Sequence, residues 1–243
     1  MKAVILVSLF VLSCAGVKLP PNFQKCNRKQ PDLKECVLRA VQDGIPQLTR
    51  PFNEVNLPNL HPFVLTELII GAGTGAVAVE QKFHNCTLDG FHHFHFDKFE
   101  FDFEKKTLEI LGYCPEVTKK CRYELDGKVM LMPVKGKGDS TIVLKNLGVA
   151  ASLNFEEIKK GGKTFMKMVS CRVMMEPEMV SYHFDNLFNG DKQLGDNLNR
   201  MLNENWKEVL DDVKKDYNNI FEKILLLLCG NFFSKVSMEE AFD

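Results

Sequence analysis

The residues that could carry covalent or coordination chemistry are few and poorly grouped. His92-His93-Phe94-His95 is the densest set of imidazoles. On a strand, His93, His95 and Asp97 share one face, and two imidazoles with a carboxylate are a ligand set that suits zinc. A wet outer face explains the same residues, and no metal is expected. Gly71-Ala72-Gly73-Thr74-Gly75-Ala76 follows the apolar run Leu68-Ile69-Ile70 with the spacing of a dinucleotide-binding loop. Such a loop must open a helix whose N-terminus faces the pyrophosphate. Here Ala76-Val77-Ala78-Val79 alternates into Glu80 and Lys82 as a strand, so the glycines read as a strand connection and no cofactor is expected. Neither a GxSxG elbow nor an HExxH helix occurs, and the carboxylates are scattered over polar faces. What remains is apolar burial rather than bond-making, so no enzymatic activity is expected.

The cysteines bear on compartment. Lys2, the apolar run Ala3 to Leu12 and the small residues Ser13-Cys14-Ala15 have the order of a secretory signal peptide, cut after Ala15 or Gly16. Residues 1–15 are therefore expected to leave, and residues 16–243 to form a single extracellular domain. Of the 8 cysteines, Cys14 leaves with the signal. An odd number then remains in an oxidising compartment, so at least one thiol stays free or pairs between molecules. Cys26 and Cys36 bracket a polar segment at a helix start, where a disulfide is expected. Cys114 and Cys121 flank Pro115-Glu116 and are candidates to close a hairpin loop. Asn85-Cys86-Thr87 is a weak glycosylation sequon that needs an exposed strand edge.

These residues must be held by an α+β chain. Leu33, Val37, Leu38, Val41, Ile45 and Leu48 repeat at helical spacing behind Asp32, an N-cap candidate, and Pro46 should kink or divide that amphipathic helix. From Val64 to about Phe184 the pattern is β. Strands are expected at Val64–Ile70, Ala76–Leu88, Phe91–Phe103, Thr107–Tyr113, Arg122–Met132, Ser140–Phe155 and Lys163–Met175, separated by Gly, Pro, Asp or Lys clusters. Phe99, Phe101 and Phe103 alternate with charged residues, whereas Phe94 and Phe96 have the opposite parity; a bulge near Asp97 would restore a common inward face. Leu194 to Leu228 carries one apolar stripe with steps of three or four, read as one helix ending near Gly230 and about 50 Å long. A helix of that length buries its stripe only if a long, curved antiparallel sheet wraps around it lengthwise.

Composition narrows the partners. The 45% hydrophobic and 26% charged fractions are those of a folded globular chain, and the formal net charge of −1 lacks the basic footprint of a nucleic-acid binder. Phe stands at 19 against Trp 1 and Tyr 4, so aromatic surface is committed to apolar contact. After the signal, no uncharged stretch approaches the length of a membrane span, and no stable membrane insertion is expected.

Three stretches carry a family resemblance: Cys26 to Cys36 around Pro31-Asp32-Leu33; Tyr123-Glu124-Leu125-Asp126-Gly127-Lys128 on through Pro133 to Gly136 and Gly138; and Asn186-Leu187-Phe188-Asn189-Gly190-Asp191-Lys192-Gln193-Leu194-Gly195 followed by Leu202-Asn203-Glu204-Asn205-Trp206. The chain resembles the insect juvenile-hormone-binding and takeout family. The resemblance implies a tubular lipid-binding fold, or super-roll, with a curved sheet rolled around a long C-terminal helix. It also implies secretion into haemolymph or another extracellular fluid, and carriage of a small hydrophobic ligand such as a juvenile hormone, another terpenoid or a fatty lipid. The family's first bridge maps onto Cys26 and Cys36, and a second, to the long helix, onto Cys171 and Cys229. Cysteines 86, 114 and 121 depart from the family pattern. The motif glycines 127, 136, 138, 190 and 195 suit tight turns, and Asn189 or Asp191 would cap the long helix. Ligand contacts, chosen by inward face, are Val41, Ile45 and Leu48 of the first helix, which would gate the cavity; Phe94, Phe99 and Phe101; Val129 and Leu131; and Leu198, Leu202 and Trp206. Tyr123 offers a hydroxyl to an ester or epoxide oxygen, and no charged anchor is called for. The readings weighed against a carrier are a secreted interaction protein with a filled interior, its receptor or partner unknown, and a lipid-ester hydrolase.

Overall fold

A computed structural model of the chain describes residues 16–19, 22–73, 75, 77–129 and 132–242. The expected signal peptide and Leu131 lie outside these residues. Two very long strands set the architecture. β4 (Thr107–Val129) and β5 (Met132–Lys160) are 23 and 29 residues long and pair antiparallel from Thr107↔Asn154 to Val129↔Met132. At about 3.3 Å per residue, β4 spans roughly 75 Å before curvature. Each outer edge of this ribbon is shared by two shorter strands laid end to end. β2 (Val77–Asp89) pairs with the C-terminal half of β4, and β3 (His95–Asp102) with its first residues. On the other edge, β7 (Met179–Phe184) pairs with Ser140–Lys145, and β6 (Lys163–Glu176) with Gly148–Lys160. β1 (Phe63–Ile70) extends the sheet outside β2.

The curved sheet encloses helical packing at both ends. α1 (Leu33–Gly44) lies over β3 and passes into a 3₁₀ turn at Ile45–Gln47, the division expected at Pro46. Asp32 sits at its N-cap without a side-chain capping bond. The C-terminal stripe is two helices, α2 (Lys192–Glu204) and α3 (Trp206–Phe233), not the single one expected; Asn205 (φ −115°, ψ 28°) leaves the helical region between them. The cause is docking. Asn199 exchanges two hydrogen bonds with the backbone of Phe184, and Asn203 two with that of Tyr182, at 2.8–3.0 Å. These amides, one turn apart, satisfy the unpaired edge of β7 and fix the direction of α2. The 28 residues of α3, about 42 Å of helix, run instead along β6 and past Gly230. A short α4 (Met238–Phe242) closes that end. Asp191 caps α2 by accepting from Leu194 N at 3.0 Å.

The β pattern holds up with one large difference. The expected strand 107–113 and residues 122–129 of the next, whose Met132 already opens β5, are parts of one continuous strand. Its inward row changes parity from Leu108, Ile110 and Cys114 to Val117, Lys119, Cys121 and Tyr123. The unpaired step of the ladder, Pro115 opposite Asn146 (φ 44°), lies at that change. Pro115 and the Lys119-Lys120 pair mimic a turn in the sequence. The bulge near Asp97 is present, as a register shift between Phe96 and Lys98. The glycines of 71–75 join β1 to β2 as a hairpin, and Asp212 of α3 accepts from Gly75 N (3.1 Å) and Val77 N (2.7 Å). Gly136 and Gly138 are not turn residues. They lie inside β5, where an added Cβ would come within 2.9 Å of the Tyr123 hydroxyl and 2.7 Å of the Asp185 carbonyl.

Cys26–Cys36 is bridged. Cys114 cannot reach Cys121, because both lie on β4, seven residues and about 23 Å apart. Cys121 instead bridges the adjacent strand to Cys86, with Cα atoms 4.2 Å apart. That disulfide buries the middle residue of the sequon, while Asn85 is exposed at the bulge beside it. Cys114, Cys171 and Cys229 are free thiols, so the family's second bridge is unmade. Burial pushes Cys114 up to about 11 and both others to about 12. Thiol counting with a chromogenic disulfide should therefore give almost no fast reaction in the native protein. It should give three thiols after unfolding without reductant; a count of one would mean that Cys171 and Cys229 pair.

Candidate ligand cavity

The apolar faces of α1, β3, β4, β6 and α3 do not close completely on one another. They leave a concave apolar space of about 370 Å³. α1 and its 3₁₀ turn contribute Val37, Val41, Ile45 and Leu48; β3 and the turn before it contribute Phe94, Phe96, Phe99 and Phe101; and Ile110, Val173 and Phe221 come from β4, β6 and α3. The phenylalanines share a wall because the bulge at Asp97 corrects their parity. Around Phe101 the packing is aromatic: it meets Phe99, Phe155, Phe233 and Phe242 edge-on at centroid distances of 5.2–6.2 Å.

Few polar bonds hold α1 on this space. Gln42 donates to the Phe94 carbonyl (3.0 Å) and accepts from Phe96 N (2.8 Å), and Lys34 pairs with Glu100 at 3.1 Å. In the first turn of the helix the Cys26–Cys36 disulfide ties α1 to a segment that pairs with α4 through Cys26 N→Ala241 O and Arg28 N→Phe242 O. The expected contacts Val41, Ile45, Leu48, Phe94, Phe99 and Phe101 all line the space.

The other expected contacts lie elsewhere. Leu198, Leu202 and Val129 are buried in the core around α2, β2 and β7, toward the opposite end of the sheet. Trp206, at the start of α3, packs on that same core with the Lys207 ammonium 5.5 Å from its ring. Its emission would not report on the apolar space. The Tyr123 hydroxyl donates to the backbone carbonyl of Asp185, which occupies it within the fold. The face of an element fixes whether a residue points inward, not which end of a long tube it meets.

The imidazoles group differently from the sequence expectation. His61, Asp89 and His92 bring ligand-type atoms within 4.8 Å of one another, His61 Nδ1 lying 2.7 Å from Asp89 Oδ1. Burial holds His92 below the ordinary histidine range. The cluster joins the chain before β1 to the turn before β3, next to the lining residues Leu60 and Phe91.

Lys119 is the residue that sequence reasoning missed. Among the described residues it is the one charged side chain in the buried class, 4% exposed, on the inward row of β4. Its Nζ donates to the Tyr217 hydroxyl at 3.0 Å and stands 3.4 Å over the Phe83 ring. Burial drives its pKa down to about 7 and that of Tyr217 up. A lysine held so low binds fewer protons than the unfolded chain above pH 7. Stability should therefore rise with pH from about 7, by about 1 kcal/mol per unit. Above about pH 8 the three thiols, raised by burial, reverse the slope. Urea unfolding of the ligand-free protein at pH 7.0 and 8.0 checks this; Lys119→Met should remove the rise.

The architecture defines a class: a rolled antiparallel sheet around a long C-terminal helix, with an apolar interior at one end. The family model for haemolymph juvenile hormone binding protein (JHBP) matches residues 4–243, and the chain belongs to that family. The takeout 1 crystal structure of Epiphyas postvittana superposes with a TM-score of 0.81 at 23% identity, covering 90% of this chain and 99% of that one. Circadian clock-controlled protein daywake of Drosophila melanogaster is 26% identical over 137 residues, and its Drosophila yakuba counterpart 23% over 136. Those alignments cover 56% of this chain and 53% and 52% of the relatives, so the chain spans about half the length of the curated relatives it matches. Among the described residues no helix is long and apolar enough to cross a membrane.

Proposed function

We propose that residues 16–243 act, after removal of the signal peptide, as a single-domain extracellular carrier. It would take a small hydrophobic ligand, a juvenile hormone, another terpenoid or a fatty lipid, into the space between α1, β3 and α3. The observation that carries this reading is an apolar concavity of about 370 Å³ in a chain of the JHBP family. Carriage needs no bond made or broken; it needs apolar surface removed from water. A ligand burying about 400 Å² gains roughly 10 kcal/mol gross at about 25 cal/mol per Å². An association cost of at least about 4 kcal/mol leaves affinity no tighter than tens of micromolar from apolar area alone. Val41, Ile45, Leu48, Phe94, Phe99 and Phe101 are the contacts. α1 is the element that moves for entry, since so few polar bonds hold it.

Native purification, solvent extraction and mass spectrometry test this. A stoichiometric lipid is the expected result. A protein that emerges empty and also takes up no fluorescent apolar probe would end the proposal.

A further inference from the structure

Beyond the phenylalanine-lined space lies a second, smaller void of about 60 Å³. Leu147, Met175 and Phe221 line both, so the two are neighbours along the inside of the sheet. The smaller one differs in having a buried lysine on its wall. Lys119 of β4 and Tyr217 and Asn218 of α3 are among its lining residues, and the buried Asn218 side-chain oxygen has no hydrogen-bond partner. The other titratable groups on its wall are Tyr182 and Lys214, and the Lys214 ammonium is paired with Glu176. No carboxylate of the chain pairs with Lys119 among the described residues: its contacts are one phenol and two ring faces. A buried ammonium without a counter-ion is costly, so burial favours the neutral amine of Lys119 until an anion reaches it. A void of this size, several times that needed for one water, holds a carboxylate and its first methylenes.

Resting on the carrier reading, we propose that Lys119 and Tyr217 form the polar subsite for the head of a long-chain carboxylic acid. The ligand would lie with its carboxylate against the Lys119 ammonium and its tail passing Phe221 into the larger space. The acid supplies the charge that the fold withholds, and the Tyr217 hydroxyl, which accepts from Lys119, is free to donate to a carboxylate oxygen. Acids are thereby selected over esters and hydrocarbons of equal length.

The test is competitive binding of hexadecanoic acid and its methyl ester to the delipidated full mature chain, read by displacement of a fluorescent apolar probe at pH 7.5. The wild-type protein is expected to prefer the acid by about tenfold or more, as for a charge-assisted contact. Lys119→Met should bring the two affinities together. A measurement that needs no variant is the carboxyl ¹³C resonance of bound [1-¹³C]hexadecanoic acid, expected to stay that of the ionised acid down to at least pH 5. Ester and probe binding with equal acid and ester affinities, a preference that survives Lys119→Met, or a carboxyl that titrates above pH 5 would each overturn the subsite and leave carriage standing. Failure of acid, ester and probe alike to bind would overturn both.

Discussion

Phe101→Ala should lower the unfolding free energy by about 3 kcal/mol, the low end of the range for a buried aromatic, since Phe101 is half-buried on the cavity wall. Phe101 is the centre of the aromatic cluster that joins β3 to β5, α3 and α4: besides its edge-on contacts it stacks on Phe103 with centroids 5.6 Å apart. Its neighbours are held by different elements, and one side already faces an open space, so collapse around the deletion is limited. In a chain of this size the loss should move the thermal midpoint by about 10 °C. Urea unfolding, with an unchanged slope and a lower midpoint, checks it. Phe101→Leu, which keeps most of the volume, should cost much less. An alanine variant within about 0.5 kcal/mol of wild type would show that the cluster is not a structural centre.

The second large effect concerns binding. Val41→Asp should weaken uptake of a fluorescent apolar probe by about 10- to 100-fold. The estimate follows from the roughly 1–3 kcal/mol penalty for a polar group held against apolar surface. Val41 is half-buried on α1, with its side chain on the wall of the cavity rather than in the fully buried core. The fold should therefore survive, and a far-ultraviolet spectrum like that of wild type would verify this. Val41→Leu keeps the wall apolar and should leave affinity within about threefold. Wild-type affinity in the aspartate variant would mean that the probe does not sit beneath α1.

Local rules could be read from single segments. The alternation of Phe99, Phe101 and Phe103 and the slipped parity of Phe94 and Phe96 contain both the strand and its bulge, because a pleated strand presents every second residue to one side. The capping role of Asp191 and the break after Gly44 are likewise short-range consequences of hydrogen-bond geometry. The Cys26–Cys36 pair lies in one turn of chain and was equally legible.

Contacts between distant segments were not legible. Cys121 meets Cys86 because β2 and β4 are neighbours in register, and no spacing along the chain encodes which strands adjoin. The helix stripe divides at Asn205 because Asn199 and Asn203 hold α2 to β7, a partner that periodicity cannot identify. Lys119 reads as part of a turn, since a charge in an inward row is rare enough to be taken for the end of a strand. Hydrophobic periodicity thus determined which face of each element avoids water, and with it the rolled α+β class. Tertiary structure alone decided which faces meet, where they fail to fill the space between them, and that the Lys119 side chain was enclosed there, because those outcomes depend on long-range pairing and summed side-chain volume rather than on local order.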